Sequence, residues 1–576
     1  MRFSSTLIVK CAMMMGCFGV CLLAAIYSRA THSAGSFPWY SIIPPVLAVM
    51  LAVVTGRIRP SLAAAVISGG FLAAIADSNG FAVWLANALG RTWLFAIQTV
   101  WLPESGTFNT GNVRILLYVV LIMTMISVML AAGGLQGVAR RLEKYARSAR
   151  STQLATMALG LVIFIDDYAN TMIVGATMRG VTDRQRISRE KLAFIVDATA
   201  APVAGIAVLS TWIGYEVGLL SGAARSLGVA KDGYEIFFDA IGFRFYCILM
   251  IAFVFLNAWS GQDFGPMARA QRRAEAKGRT PNERTPNGKT SSAIPDAFAS
   301  AGSHPEGRAS ASVAVVPMLA LLAVFLAGIW IGGSPDASPQ RGPWAILHMS
   351  AWRGALGKAD SILMLVYASL TGLLAAVALA KTVARVPIAA IVKAAVVGAK
   401  SSMLPVAILA LAWALKGACD ELQTGQYLAA VLGKSLRPWV FPALVFVVSG
   451  LTSFATGTSW GTMAILIPTA IPVAFSLDGN VYGTLTVVSV AAILDGAIFG
   501  DHCSPLSDTT IMSSTASSCD HLAHVATQTP YSLCVAAIAL GVGYLPATLG
   551  VPGWCSVAIG VVLLASLFFY LKAVDR

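Results

Sequence analysis

The sequence has very little charge for its length. Only 12% of its 576 residues are Asp, Glu, Lys or Arg, about half the fraction that soluble globular domains carry. A soluble chain of this size would divide into several domains, and each domain would need a charged surface. The composition argues against a soluble enzyme, a nucleic-acid-binding protein and a disordered scaffold. It predicts a protein whose surface mostly faces lipid.

Paired cysteines and a single basic surface are also missing. The nine cysteines are scattered, several of them inside apolar runs, which excludes a disulfide framework. The net charge of +13 comes from short basic clusters between apolar runs, such as Arg140–Arg150 and Arg179–Lys191. Such clusters mark cytoplasmic loops of membrane proteins. We therefore expect lipid contact and no nucleic-acid partner. The spacing of Cys503, Cys519, His521 and His524 is not that of a zinc site.

Long apolar runs dominate what is present. A helix needs about 20 apolar residues to cross a membrane. With the basic loops inside, both termini are expected in the cytoplasm and the chain in the inner (cell) membrane. The stretch 79–112 has mixed composition, and an external loop, an interfacial helix and a partial span all remain open for it. The predicted spans are 5–27, 38–56, 60–80, 113–134, 192–214, 239–260, 311–332, 360–380, 402–417, 482–512, 530–549 and 552–572.

One apolar segment has basic clusters at both of its ends. Gln153–Met178 lies between the Arg140–Arg150 and Arg179–Lys191 clusters. A single span would place those clusters on opposite sides, so the segment is predicted to be a re-entrant hairpin near 152–178. Its polar turn contains Asp166 and Asp167. Exposed backbone inside the hydrocarbon core of the membrane is tolerated only beside protein or a water-filled cavity.

The second half of the sequence repeats this order. Residues 261–310 are rich in polar residues, Pro and Gly, and are predicted to be a disordered cytoplasmic linker between membrane halves 1–260 and 311–576. In the first half, a span broken around Asp197 and Pro202 follows the hairpin. A second polar-tipped hairpin is predicted near 439–476, and a broken span follows it as well. Opposite orientations make this an inverted repeat, in which secondary transporters bind substrate at the breaks. We predict an all-α polytopic membrane protein of about 12 transmembrane helices plus two re-entrant hairpins.

The polar residues at the tips and breaks are the candidates for function. An acidic residue at the centre of a membrane helix costs about 2.5–3.5 kcal/mol on insertion scales. A carboxylate in apolar surroundings can be neutralised by a proton or by a cation, and a site that takes one or the other couples the two. A buried structural pair is the alternative, and it weighs most for Asp197. The candidate cation- and proton-binding residues are Asp166, Asp167, Asn170, Thr171, Asp197, Thr458, Ser459, Asp501, His502, Ser504, Asp508 and Thr509.

Three motifs carry a resemblance to a known family. They are Phe164-Ile-Asp-Asp-Tyr-Ala-Asn170, Gly500-Asp-His-Cys-Ser-Pro-Leu-Ser-Asp-Thr-Thr510 and Cys519-Asp-His-Leu-Ala-His524. The sequence around them resembles the NhaC-type sodium/proton antiporter family, a branch of the ion transporter superfamily. The resemblance implies a helical fold with inverted repeats, alternating access and cation-coupled exchange. Some members of that family resemble carriers of organic acids or amino acids.

The sequence is interpreted as a Na⁺/H⁺ antiporter without a cofactor. Na⁺ is expected at Asp167, Asn170, Thr458 and Ser459, and a homodimer is left open. The first alternative is a Na⁺- or H⁺-coupled carrier of a small organic acid or amino acid. That carrier needs a cation or helix N-termini for the substrate carboxylate, and no buried Arg or Lys is expected near the tips. The remote alternative is an intramembrane serine hydrolase pairing Ser459 with His502, although the strand–turn–helix context of G-x-S-x-G is missing.

Overall fold

The chain folds almost wholly into helices, since apolar segments in lipid must satisfy their own backbone hydrogen bonds. The structure, a computed structural model, describes residues 38–55, 57–77, 80–277, 310–333, 352, 355, 358–435 and 437–574. A short antiparallel ribbon pairs Trp101–Leu102 with Thr107–Phe108. The principal helices are Ile43–Thr55, Ile58–Ala73, Phe81–Ile97, Thr110–Ala131, Gly134–Glu143, Ala149–Val162, Asp167–Arg184, Arg189–Ala198, Ala201–Ile206, Thr211–Ser226, Gly233–Ile241, Phe245–Ser260, Gly265–Lys277, Ser312–Gly332, Ser361–Thr382, Ile388–Ser401, Met403–Glu421, Thr424–Ser435, Phe441–Thr456, Ser459–Leu477, Thr484–Cys503, Asp508–Ala516, His521–Ile538 and Gly553–Val574.

The number of long apolar helices confirms a polytopic all-α membrane protein. Ten described helical segments are long and apolar enough to cross a membrane, and an eleventh is a pair bent by 46°. The predicted spans 38–56 and 60–80 are shorter apolar helices. The predicted span 5–27 and most of the linker, residues 278–309, lie outside the described residues.

The structure describes the stretch 79–112, which the sequence left open, and extends the predicted span 402–417. Within 79–112, residues Phe81–Ile97 form an apolar helix of 17 residues, and the ribbon follows it. The predicted span 402–417 belongs to a longer helical segment, Ile388–Glu421, of 34 residues. Its first part, Ile388–Ser401, was not predicted as part of a span.

Both halves contain the same succession of broken helices. The first hairpin consists of Ala149–Val162 and Asp167–Arg184, and the second of Phe441–Thr456 and Ser459–Leu477. A broken helix follows each hairpin, and its second segment starts after a break of four residues. Both arms of the second hairpin are long enough to cross a membrane by themselves. The first broken helix is Arg189–Ile206 with Thr211–Ser226, and the second is Thr484–Cys503 with Asp508–Ala516.

The two halves are interlocked through these elements. The return arm of the first hairpin packs on the second segment of the second broken helix, where Gly175 lies against Ala516. The return arm of the second hairpin packs on the second segment of the first broken helix. There Tyr215 stacks on Trp460, with ring centroids 4.4 Å apart. Each hairpin is therefore held by the opposite half.

Within the second half, glycines bring the entry arm of the hairpin close to the broken helix. A Cβ at Gly500 would lie 2.1 Å from the Gly450 carbonyl oxygen, and one at Gly496 would lie 2.4 Å from the Phe446 oxygen. Small residues at membrane helix interfaces permit such close backbone approach. This contact fixes the position of the second tip along the second broken helix.

A fully buried ion group joins the halves behind the tips. The Arg244 guanidinium donates from Nε to Asp495 Oδ1 at 2.6 Å, and its Nη1 lies 3.5 Å from Glu216 Oε2. Asp495 also accepts from the Tyr246 backbone N–H and the Tyr544 hydroxyl, each at 2.7 Å. All three ionised side chains are 0% exposed. Glu216 and Arg244 belong to the first half and Asp495 to the second.

We expect Arg244→Met to lower stability sharply, because it leaves two buried carboxylates facing each other without their cation. Removing one partner of a buried ion pair typically costs about 3–5 kcal/mol. Thermal unfolding in detergent, followed by tryptophan fluorescence, measures the loss. Arg114→Gln is the control, since the Arg114–Asp360 pair is 36% and 46% exposed and such pairs contribute little. Equal melting temperatures for the two variants would contradict the structural role of Arg244.

Candidate functional site

A cavity of about 420 Å³ lies where the tips of both hairpins and the breaks of both broken helices meet. Its polar wall contains four carboxyl groups, from Asp166, Asp167, Asp501 and Asp508, and the hydroxyls of Thr458, Ser459 and Thr509. The rest of the lining is mostly apolar. It includes Ile58, Met123, Trp212, Leu404, Pro405, Ile408, Leu506 and Met512.

Four helices begin at the cavity. Each has a side-chain oxygen that accepts a backbone N–H of its first turn: Asp166 from Ala169, Ser210 from Ile213, Thr458 from Gly461 and Ser507 from Thr510. Helix N-termini carry a partial positive charge. These four positive ends face the same space as the four carboxyl groups, so they offset part of the negative charge there.

The first tip is fastened to the break of the first broken helix. The Thr211 hydroxyl donates to Asp166 Oδ2 at 3.1 Å, and the Thr211 backbone N–H donates to the Ile165 carbonyl at 2.9 Å. Asp166 therefore has both of its oxygens engaged by neutral donors. Asp167 borders the same cavity, and its buried Oδ1 accepts no hydrogen bond. Asp167 therefore has an oxygen available for a ligand, whereas both oxygens of Asp166 already accept hydrogen bonds.

Asn170 holds the first tip together and does not line the cavity. Its amide nitrogen donates to the carbonyls of Gly160, Ile163 and Thr199, at 2.8, 3.1 and 3.1 Å. These carbonyls belong to the entry arm, the tip and the interruption between helices Arg189–Ala198 and Ala201–Ile206. The Asn170 oxygen Oδ1, the atom that would bind Na⁺, is buried without a hydrogen-bond partner and does not line the cavity. Coordination of Na⁺ by Asn170 therefore stays a prediction.

The second tip is fastened in a similar way. Gly457 adopts φ +68° against the carbonyl of Leu506. The Ser459 hydroxyl donates to the Ala497 carbonyl at 3.1 Å, and the Ser504 hydroxyl donates to the Phe454 carbonyl at 2.7 Å. Ser459 remains on the cavity wall, whereas Ser504 does not line it. The second tip thus rests on the break of the second broken helix.

Two adjacent threonines after the second break bind two carboxylates, one on the cavity wall and one away from it. Thr509 donates to Asp501 Oδ2 at 2.8 Å, on the cavity wall. Its neighbour Thr510 donates to Asp197 Oδ2 at 3.0 Å, away from the cavity. Tyr246 and His502 Nδ1 share a hydrogen bond of 3.0 Å. The break therefore connects a cavity carboxylate with a fully buried one.

The structure sorts the twelve predicted residues into two groups. Those that border the cavity are Asp166, Asp167, Thr458, Ser459, Asp501, Asp508 and Thr509. Those that do not are Asn170, Thr171, Asp197, His502 and Ser504. Thr171 donates to the Tyr168 carbonyl within its own helix. Among the described residues, no three His, Cys, Asp or Glu side chains are grouped as in a metal centre.

One cation that was not among the predicted site residues borders the cavity. It is Lys400, an exposed side chain at the end of helix Ile388–Ser401. Arg244 is fully buried but does not line the cavity. Lys400 lies in an apolar run that was not predicted as a span. A lysine within a 34-residue apolar segment was the available signal.

Comparisons with known proteins agree with this architecture. Residues 203–546 match the family model described as the Na⁺/H⁺ antiporter family. An uncharacterised protein of Haemophilus influenzae is 28% identical over 533 residues, which cover 91% of this chain and 94% of that protein. A Malate-2H(+)/Na(+)-lactate antiporter of Bacillus subtilis is 39% identical over 90 residues, 16% of this chain and 18% of that protein. The crystal structure of the YdaH transporter of Alcanivorax borkumensis aligns with a TM-score of 0.50 and 18% identity, over 76% of this chain and 86% of that one.

Replacing Gly457 by alanine is expected to displace the second tip. The new Cβ would lie 2.5 Å from the Leu506 carbonyl oxygen, in addition to the strain of a left-handed residue with a side chain. Gly228→Ala is the matched control, because Gly228 has φ +65° but open space around it. Gly457→Ala should lower both the transport activity and the melting temperature. Gly228→Ala should lower only the free energy of unfolding, by about 1 kcal/mol. Identical behaviour of the two variants would show that the Leu506 contact does not position the tip.

Proposed function

The chain belongs to the Na⁺/H⁺ antiporter family, and from this membership we propose that it exchanges Na⁺ for H⁺ across a membrane. It is a multi-pass secondary transporter and not an enzyme. The hydrolase alternative for Ser459 is therefore set aside. The hydroxyl of Ser459 is itself bonded to the Ala497 carbonyl, and His502 is bonded to Tyr246.

The observation that supports this proposal is the convergence of four carboxyl groups from both halves on one cavity. Like charges in a partly dehydrated space disfavour each other's ionisation, and a bound cation or proton relieves that repulsion. Na⁺ is assigned to Asp167 together with the hydroxyls of Thr458 and Ser459, since hard oxygen ligands suit a small hard cation. Asp501, held by Thr509, binds a proton when the cation has left.

The broken helices account for how such a site opens to either side. Each tip is held by a few hydrogen bonds to a break, and a break of four residues can change its dihedral angles without unfolding the helices. The resemblance to inverted-repeat transporters assigns alternating access to these elements. We place the protein in the inner membrane, with the loops of Arg140–Arg150 and Arg179–Lys191 and both termini in the cytoplasm.

Asp167→Asn should abolish Na⁺-driven pH change in proteoliposomes, because it removes the charge that the cation neutralises. The readout is a pH-sensitive dye trapped inside vesicles to which Na⁺ is added. Asp183→Asn, at the other end of the same helix and bonded to Arg189, is the control and should keep the activity. Wild-type exchange rates in Asp167→Asn would remove Asp167 from the mechanism.

A small organic carboxylate is the second candidate substrate, and Lys400 is the observation that favours it. The cavity volume of about 420 Å³ lies within the range of small-molecule sites and exceeds what a bare cation needs. Much of its lining is apolar, and Lys400 offers a charge for a carboxylate. The Bacillus subtilis relative is named for malate and lactate.

Lys400→Gln distinguishes the two candidates. If a carboxylate is carried, this variant should raise its KM about tenfold or more, because a charge-assisted hydrogen bond contributes about 1.5–3 kcal/mol. Uptake of labelled malate and lactate into proteoliposomes, with and without a Na⁺ gradient, provides the measurement. Lys393→Gln, on the same helix but away from the cavity, should leave uptake unchanged. No uptake of either acid by the wild type would leave Na⁺/H⁺ exchange as the function.

A further inference from the structure

A second ionisable group lies behind the cavity, at the meeting of four helices. Asp197 is 0% exposed and sits near the end of helix Arg189–Ala198. Its carboxylate accepts from Thr510 at 3.0 Å, from Ser513 at 3.1 Å and from Gln528 Nε2 at 2.6 Å. All three donors are neutral. The buried negative charge of Asp197 therefore has hydrogen bonds but no fixed cation.

Two histidines that can become cations lie beside Asp197, His502 and His524, and the ring of His524 makes the direct contact with the Asp197 carboxylate. His524 Nε2 lies 3.4 Å from Asp197 Oδ2, and neither ring nitrogen of His524 has a hydrogen-bond partner. His502 Nε2, Gln528 Oε1 and Ser532 Oγ nearby are also buried without a partner. Buried polar atoms are almost always satisfied in native proteins. The His524 ring can therefore bind a proton without breaking an existing hydrogen bond.

We propose that Asp197 and His524 form a second proton-binding pair, separate from the cavity carboxyl groups, that takes up an additional proton when the cation leaves. This inference rests on the proposed Na⁺/H⁺ exchange. One proton added to His524 Nε2 turns the 3.4 Å contact into an ion pair with Asp197, so that the charge of the pair changes from −1 to 0. No other bond forms or breaks. His524 lies in the first turn of helix His521–Ile538, one turn from the exposed Asp520 that caps it.

Two adjacent threonines connect this pair with the cavity. Thr509 bonds the Asp501 carboxylate, and Thr510 bonds Asp197 while its hydroxyl lies 3.4 Å from the Asp501 carbonyl. A cation that draws Asp501 toward the cavity therefore also acts on the hydroxyl that holds Asp197. In the low dielectric of the interior, the charge of Asp197 attracts a cation in the cavity, and protonation of the pair removes that attraction. Proton uptake and Na⁺ release then favour each other.

The other ionisable groups around the pair are few. His502, Asp501 and Cys503 face it from helix Thr484–Cys503, and Tyr246 faces it from helix Phe245–Ser260. Helix Asp508–Ala516 contributes hydroxyls only. Further along the same helices, Lys191 is paired with Asp263, which also accepts from Tyr531. Lys191 is already neutralised by Asp263, and the His502 ring is held by Tyr246 through Nδ1. We therefore assign the proton to His524, whose ring is unpaired and contacts Asp197 directly.

The test compares His524→Gln with His521→Gln in proteoliposomes. His521, on the same first turn, bonds Ser514 and the Pro505 carbonyl and serves as the control. His524→Gln should flatten the pH dependence of Na⁺-driven exchange or move its midpoint by about one pH unit or more, whereas His521→Gln should keep the wild-type profile. In detergent, the purified wild type should release protons when ²²Na⁺ binds. His524→Gln should bind ²²Na⁺ at alkaline pH with an affinity within about twofold of wild type but release fewer protons.

The results of these measurements distinguish failure of the proton-binding pair from failure of the exchange function. An His524→Gln profile and proton release identical to wild type would overturn the proton-binding pair and leave the exchange function in place. A wild type without any Na⁺-driven pH change would instead remove the exchange on which the pair depends. If His524→Gln does not fold, Thr510→Val provides the test. It removes the hydroxyl between Asp197 and Asp501 and keeps every titratable group, so it should weaken Na⁺-dependent proton release, and an unchanged release would reject the coupling.

Discussion

The architecture depends on one constraint, namely that each backbone carbonyl freed by a helix break inside the membrane must find a donor within the protein. Asn170 supplies that donor for three carbonyls at once, and Ser459, Ser504 and Gln528 supply it around the second break. These side chains determine where the tips stand. The cavity is the space left when both tips and both breaks have been satisfied in this way.

The electrostatics of the site follow from the same breaks. Four helices begin at the cavity, and their partial positive ends lie beside four carboxyl groups that would otherwise repel one another. Neutral hydroxyls and backbone N–H groups hold Asp166 and Asp501 without cancelling their charge. Two fully buried cations are bound away from the cavity, Arg244 by Asp495 and Lys191 by Asp263. Lys400 is the one lysine among the described residues that line the cavity, where it faces four carboxyl groups.

The fold could be predicted from the sequence because apolar run length and the sides of basic loops are direct physical signals. Both polar tips and both breaks were also visible, since acidic residues in apolar runs are costly and so stand out. The roles of single residues were less accessible. Asn170 lies at the same tip as Asp167. Only the three-dimensional contacts reveal that its amide nitrogen donates to three backbone carbonyls. Arg244 was hidden because its partners Glu216 and Asp495 are 28 and 251 residues away in sequence.

The crosswise packing of the two halves has a consequence for biosynthesis. Gly175 and Tyr215 of the first half find their partners, Ala516 and Trp460, only in segments made some 245–340 residues later. The first hairpin and the first broken helix therefore lack these packing partners until the last quarter of the polypeptide has been synthesised. The two halves of this protein thus complete their packing together and not one after the other.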